Sequence, residues 1–354
     1  MRTPFFLHAL ALTLALAACA PTLSSPPVAV SSRASPVYAA RGSQPGPQVV
    51  MTEYDLPTPN ALPGGLVVGG DGAIWFHETG ANRIGRITAG GQVTEYPIPT
   101  PESTEPRQGF VGVAPDGAVW FTESAADRLG RISMDGRVSE VRVPTYNSSP
   151  LGVAAGPDGA MWFSQWASGK VGRVAPDGAV SEIALPEYLA RPVGPAVATD
   201  GALWFRVRDL KAGAWALLRM TADGKYTLFP VGLGPEDKPI VPLRMTAAAD
   251  GTMWFAGSNA SVIGRVTADG QISFFPAPGM NPISVAVGPD GAVWFTGYNS
   301  HEIGRMTPDG RLTRYPILTP QGRPYHLVLG PDRALWFTLM DAGKIGRLEV
   351  SGGG

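Results

Sequence analysis

Glu78 and Glu123 each stand two residues beyond a Trp-Phe pair, the same place in two adjacent copies of one repeat. Carboxylates at equivalent positions can hold a divalent cation together with waters, or divide the work of general acid and base. The alternative is that they are solvated caps answering nearby arginines. His77 adjoins the first of them and is a third candidate for moving a proton. Arg107, Arg191 and Arg323 share an equivalent rim position and would offer donors suited to a carboxylate or phosphate. His77, His301 and His326 are too scattered for metal-ligand spacing, and no Ser-His-Asp spacing is legible, so each also reads as a surface or loop side chain.

What must position these residues is a repeat. The pairs Trp75-Phe76, Trp120-Phe121, Trp162-Phe163, Trp204-Phe205, Trp254-Phe255, Trp294-Phe295 and Trp336-Phe337 are separated by 45, 42, 42, 50, 40 and 42 residues. That period belongs to four-stranded propeller blades and exceeds that of leucine-rich or ankyrin repeats. The expectation is an all-β, seven-bladed β-propeller of four-stranded antiparallel blades, a single domain over residues 49–350.

One copy, Ile283 to Tyr315, shows how a blade is written. Ile-Ser-Val-Ala-Val, Ala-Val-Trp-Phe-Thr, Glu-Ile-Gly-Arg-Met and Arg-Leu-Thr-Arg-Tyr are strand-length apolar runs, here named A to D. The two Pro-Asp-Gly turns reverse the chain because Pro fixes φ, Asp bonds the backbone and Gly accepts positive φ. Those aspartates therefore read as turn formers rather than metal ligands. Adjacent residues on a strand face opposite ways, so each Trp-Phe pair offers one ring to the preceding blade and one to the next. The arginine after the strand C glycine, as in Gly85-Arg86 or Gly304-Arg305, is expected at a blade interface, stacked on a Trp.

The last blade lacks a fourth strand before Val350, whereas Thr52-Glu53-Tyr54 precedes the first blade and repeats the strand D text of Thr94-Glu95-Tyr96. The N-terminal strand should therefore complete the C-terminal blade and leave no open sheet edge. A ring closed this way needs no partner, and a monomer is expected.

Both Pro-Asp-Gly turns fall at one end of a blade, so the varied B-to-C and D-to-A connections share the other, where binding sites are usually mounted. Two positions per blade are expected side by side at that channel mouth. The strand A start reads Gly64, Gly109, Leu151, Val193, Leu243, Ile283 and Tyr325; the strand B end reads Glu78, Glu123, Gln165, Val207, Gly257, Gly297 and Leu339. These imply a lopsided pocket, polar and roomy over blades one to three and aliphatic over four to seven, for a small molecule or peptide. Its expected ligand-binding residues are Glu78, Arg107, Glu123, Gln165, Arg191, Arg323 and Tyr325.

Ahead of the repeat, residues 1–18 carry Arg2, no acid and an apolar run, as an export signal does. Leu16-Ala17-Ala18-Cys19 resembles a bacterial lipobox, and Cys19 is the sole cysteine, so lipidation there and a place in the bacterial envelope are expected. Residues 19–48, rich in Pro and Ser, read as a disordered tether, and 351–354 as a flexible glycine tail. Without Arg2 there remain 27 bases against 29 acids, a balance of −2 with no electrostatic footprint for nucleic acid. The membrane would be met through the Cys19 lipid alone.

The text Gly-Pro-Asp-Gly-Ala-Val-Trp-Phe-Thr, with Ile-Gly-Arg-Met-Thr-Pro-Asp-Gly and Thr-Glu-Tyr-Pro-Ile-Pro-Thr, resembles the virginiamycin B (streptogramin) lyase family from about Met51 to Val350. The resemblance implies a seven-bladed propeller and a carbon-oxygen lyase that linearises a cyclic depsipeptide by magnesium-assisted elimination. It also implies a histidine at the strand A start of the last two blades. Two glutamates accompany it, one two residues before the final histidine and one after Trp-Phe in the same blade. Those positions here are Ile283, Tyr325, Arg323 and Leu339, and His326, one residue beyond Tyr325, is expected on the opposite strand face. A ligand-binding or scaffold propeller and a magnesium-dependent lyase, its site moved to Glu78, Glu123 and His77, are the two readings this leaves.

Overall fold

A computed structural model describes residues 28–31, 38–40, 46–105, 109–234 and 237–351. The leader, Cys19, Arg107 and residues 352–354 lie outside the described residues. Seven antiparallel sheets follow one another along the chain, each a meander in the order A-B-C-D. In blade one these strands are Pro63–Val68, Ile74–Glu78, Arg83–Ile87 and Gln92–Pro97. In blade six they are Pro282–Val287, Val293–Gly297, Glu302–Met306 and Leu312–Pro316.

Blade seven takes its strand D from the other end of the chain. Gln48–Asp55 pairs antiparallel with Lys344–Ser351 in an unbroken register from Gln48 opposite Ser351 to Asp55 opposite Lys344. Within the stretch read as a tether, Val28–Ser31 pairs with strand D of blade one and Tyr38–Ala40 with Gln48–Asp55. An outer strand D leaves one row of backbone groups unpaired, and these short runs occupy it.

The core is divided among seven interfaces, each pooling the Trp of one blade with the Phe of the next. Trp75 and Tyr96 pack with Phe121, Trp162 with Phe205, and Trp294 with Phe337. Phe76 closes the circle by packing with Trp336 and Tyr54 of blade seven. The strand C glycine exists because its own blade's Phe covers it: a Cβ on Gly85 would lie 2.1 Å from Phe76 Cε2.

The turn aspartate does more than shape its turn. Asp290 accepts the Ala292 amide at 3.3 Å and the Trp294 indole N–H at 2.9 Å through Oδ1, and the Arg305 Nε–H at 2.6 Å through Oδ2. Asp71, Asp158 and Asp332 repeat this with Trp75 and Arg86, Trp162 and Arg173, and Trp336 and Arg347. The arginines lie over the indoles as expected, Arg86 at 5.8 Å from the Trp75 ring and Arg347 at 5.6 Å from that of Trp336.

A second device ties blades one, two, three and seven each to the blade before it. Glu95 on strand D accepts the Thr58 amide at 3.1 Å and its hydroxyl at 2.5 Å, and Thr58 follows strand D of blade seven. Glu140 holds Thr100 and Glu182 holds Thr145 in the same way, while Glu53 holds Thr319. Each carboxylate thus fixes the path of its neighbour's chain as that chain leaves the sheet.

Candidate functional site

The channel is formed by the A strands, and their shape decides what faces it. Register shifts separate Pro63 from Leu66, Pro150 from Val153, Pro242 from Met245, Pro282 from Val285 and Pro324 from Leu327. Such bulges bend the strand and re-aim its side chains. As a result Tyr325 and His326 both line the channel, and the strict alternation expected for them does not hold.

The channel encloses a cavity of about 560 Å3 with walls from Leu66, Val111, Val153, Val193, Met245 and Ile283. It opens into a second cavity of about 500 Å3 at the mouth, bounded by Glu105, Ser124, Asp127, Asn147 and Trp166. Phe110, Val193, Arg206 and Tyr325 belong to both, so the two are continuous. The mouth lies on the varied loops, at the face the turn pattern selects.

Most of the residues expected there lie elsewhere. Glu78, Glu123 and Gln165 are 0% exposed, and none of them lines either cavity. They point along the sheet toward strand D rather than into the channel. Gln165 Nε2 donates to Glu182 at 2.9 Å and its Oε1 accepts the Ser168 hydroxyl at 2.8 Å. Glu78 and Glu123 occupy the same place opposite Glu95 and Glu140. Burial, reinforced by the Glu95 charge, holds the Glu78 carboxyl well above its usual value. Burial, then the Glu140 charge, pushes Glu123 up to about 7. Both carboxyls are buried in separate blades, away from the channel and its mouth, which corrects the reading of them as a shared metal or acid-base site.

His77 is likewise 0% exposed, edge-on to Phe121 at 5.8 Å, and burial pushes it down to about 3. Neither ring nitrogen has a hydrogen-bond partner among the described residues, so it is an apolar-environment core residue and not a proton carrier or a loop residue. The expected roominess of blades one to three is also filled, since a Cβ on Gly109 would meet Thr79 Cγ2 at 2.5 Å and His77 Nδ1 at 2.8 Å.

Of the rim arginines, Arg323 pairs with Asp341 at 2.8 Å, lies 5.3 Å from the Tyr298 ring and lines neither the channel nor its mouth. Arg191 is exposed and lies over Trp166 at 5.0 Å, beside the mouth. Arg107 is outside the described residues. Of the expected ligand-binding residues Tyr325 lies in the channel, and the strand A starts Val193, Leu243 and Ile283 line it as expected.

The channel's cations come instead from Arg206, on strand B of blade four (Leu203–Asp209), and Arg244, on strand A of blade five (Pro242–Ala247). Arg206 donates to the Pro242 carbonyl at 3.3 Å and lies 5.1 Å from the Trp215 ring. Arg244 donates to the Gly109 carbonyl at 3.4 Å and sits 4.2 Å from the Phe110 ring and 5.5 Å from that of Tyr325. These arginines put cations on blades four and five, where an aliphatic wall was expected, while the mouth is polar around blades two and three through Ser124, Asp127, Asn147 and Ser149. A legible signal existed: the residue after each Trp-Phe reads His77, Thr122, Ser164, Arg206, Ala256, Thr296 and Thr338, with one permanent charge among them.

His326 is a structural acceptor. Its Nδ1 takes the Leu66 amide of blade one at 2.8 Å, as Ser284 Oγ takes that of Leu327 at 3.4 Å. Burial, then the nearby Arg244 charge, holds its pKa well below the usual imidazole value. With Nδ1 accepting, the neutral ring carries its proton on Nε2.

The positions the resemblance assigns to catalysis do not assemble a base and a metal. Ile283 has no titratable group, Leu339 is 0% exposed and offers no donor, and Arg323 is held by Asp341. No group of three or more His, Cys, Asp or Glu suited to a metal occurs among the described residues. Magnesium has no donor set at these positions.

Seven blades closed by an N-terminal strand, around a channel lined by two arginines and aromatic rings, define a ligand-accessible β-propeller. Residues 44–232 and 192–353 match the virginiamycin B lyase family, and the chain belongs to it. A streptogramin B lyase structure aligns with a TM-score of 0.77 at 29% identity, over 86% of this chain and 98% of its own. A catalytically inactive virginiamycin B lyase from Staphylococcus aureus, with quinupristin, aligns with a TM-score of 0.76 at 30% identity, over 85% and 99%. The curated virginiamycin B lyase of Bacillus licheniformis is 46% identical over 46 residues, 13% of this chain and 16% of that protein's length.

Proposed function

We propose that this chain is a ligand-binding member of the family that takes a small molecule into the channel mouth and does not open a depsipeptide ring. The observation that carries this reading is the occupancy of the four positions the resemblance assigns to catalysis by Ile283, Tyr325, Arg323 and Leu339. Elimination needs a base that can take the proton next to a carbonyl and a positive centre that stabilises the resulting enolate. Isoleucine, leucine and a guanidinium do not abstract protons near neutral pH. The cavities supply what binding needs, an apolar enclosure with a few convergent polar groups.

The lyase reading keeps one specific support, the relative of 30% identity whose structure contains quinupristin. Incubating the purified chain with a streptogramin B and magnesium, and following ring opening by mass spectrometry, separates the two. No linear product is expected; turnover that depends on magnesium would defeat the binding-only reading.

The same proposal places the protein in the bacterial envelope, exported by residues 1–18 and anchored through lipid on Cys19. Its support is the Leu16-Ala17-Ala18-Cys19 text ahead of a Pro- and Ser-rich segment. Partition of the expressed protein into the detergent phase of Triton X-114, lost in Cys19→Ala, is the expected result.

A further inference from the structure

We infer that the channel is an oxyanion site: Arg206 and Arg244 together receive the carboxylate or phosphate of a ligand whose apolar or aromatic body fills the aliphatic end. The inference rests on the binding reading above and adds the chemistry of the ligand's head.

Each guanidinium has five N–H donors. Arg206 spends one on a long backbone bond at 3.3 Å; Arg244 spends one on a backbone bond at 3.4 Å and another on the Tyr325 side chain. Nε of Arg206 is buried with no partner among the described residues. Neither arginine has a carboxylate within ion-pair distance among the described residues. No Asp or Glu lines the channel itself. At the mouth, Asp127 is already engaged by the amides of Asn147, Ser148 and Ser149, which among the described residues leaves Glu105 as the acid facing that opening.

Two like charges placed together in a half-enclosed space are costly. Burial, with the Arg244 charge added, pushes Arg206 down to about 10. In blades six and seven the residue after Trp-Phe is a hydroxyl that bridges blades: Thr296 donates to the Tyr325 carbonyl and Thr338 to that of Gly64. Arg206 keeps that bridge, to Pro242, while extending a charge beyond what the bridge requires. Trp215 beside Arg206, and Phe110 and Tyr325 beside Arg244, lie within cation–π range, and the N–H donors not spent on the backbone or Tyr325 are of the kind that suits a bidentate oxyanion.

The test is a pair of fluorescence titrations on the full folded chain, one with the anionic dye 8-anilinonaphthalene-1-sulfonate and one with neutral N-phenyl-1-naphthylamine. The anionic dye is expected to bind at least ~10-fold tighter at low ionic strength and to lose that advantage as NaCl is raised. Arg206→Gln and Arg244→Gln should each weaken the anion by about 10-fold while leaving the neutral dye unchanged, since one charge-assisted contact is lost. Displacement of the dye by phenyl phosphate in preference to 4-phenylbutyrate assigns a phosphate head, and the reverse order a carboxylate. Equal binding of both dyes by the unaltered protein, independent of salt, overturns the oxyanion site yet keeps the binding channel. Failure of both dyes to bind removes the binding reading and this inference with it.

Discussion

Gln165 Nε2 donates to Glu182 Oε1 at 2.9 Å, and the same two positions in the preceding blades carry Glu78 with Glu95 and Glu123 with Glu140. An amide can donate at every pH, whereas a carboxylic acid can do so only while it keeps its proton. Blade three therefore shows the neutral form that blades one and two must imitate. The strand D glutamate is held by a threonine of the neighbouring blade, and burial raises the pKa of the inner carboxyl behind it.

Glu123→Gln should consequently stabilise the protein in alkaline solution. A carboxyl raised from its usual 4.5 to about 7 contributes stability that is complete below 4.5 and lost as pH rises through about 7. A tenfold change in an acid's ionisation constant is worth ~1.4 kcal/mol, so the cost of ionising Glu123 approaches about 3 kcal/mol by roughly pH 8. Urea unfolding midpoints should match between variant and parent near pH ~4 and separate near pH ~8 with the variant higher. Parallel pH profiles would mean that Glu123 ionises without penalty.

Asp290→Asn tests the opposite sign. Burial raises the Asp290 carboxyl, but hydrogen bonds from Trp294 and Arg305 outweigh it and leave it below the usual carboxylate value. Its contribution is present above the ordinary pKa and disappears as pH falls through the lowered one. Because the Arg305 and Asp290 side chains are 14% and 6% exposed, losing the charge should cost about 2–4 kcal/mol near neutral pH. Thermal unfolding should show that gap narrowing as the solution is acidified below the ordinary carboxylate range, where the parent loses the same interaction.

Restoring histidines alone should not restore a lyase. Ile283→His with Tyr325→His puts imidazoles where the resemblance asks for them, yet Arg323 stays paired with Asp341 and Leu339 stays without a carboxylate. No ring opening of a streptogramin B with magnesium is expected, by mass spectrometry over several hours. Product from the double variant would show that the two glutamate positions are dispensable.

The fold was legible because it is written seven times: Trp294 and Phe295 must face opposite neighbours on any strand, and the unpaired Thr52-Glu53-Tyr54 text names its own partner. The site was not, for two physical reasons. A period-two reading of strand A assigns Tyr325 and His326 to opposite faces, but the bulge between Pro324 and Leu327 turns both toward the channel. A polar residue at a strand end, such as Glu78, reads as solvated, yet depth depends on what covers the strand end. Here the chain around Leu62 bonds back to Thr79 across it. Arg206 and Arg244 stand one residue away from the positions compared, each the odd member of its column across the blades. The column after the strand A start, Gly65, Phe110, Gly152, Gly194, Arg244, Ser284 and His326, carries that signal in the sequence itself.

Closure of the ring gives the last prediction. Glu53, from the N-terminal strand, is 0% exposed and accepts the amides of Leu318 at 2.9 Å and Thr319 at 3.1 Å, together with the Thr319 hydroxyl. It joins the first strand of the ring to the exit from blade six, while Tyr54 beside it stacks on Trp336 at 6.0 Å. Hydrogen bonds to a charged acceptor are worth about 1.5–3 kcal/mol each, and removing the acceptor strands buried donors. Glu53→Ala should therefore cost about 3 kcal/mol or more, above the roughly 1–2 kcal/mol expected for Thr58→Val, which removes one hydroxyl from the equivalent clamp on Glu95. Because the two chain ends meet at this seam, amide exchange in Glu53→Ala should accelerate first in Gln48–Asp55 and Lys344–Ser351, ahead of blades two to five. Uniform acceleration around the ring would place the weakest seam elsewhere and leave Glu53 as one clamp among equals.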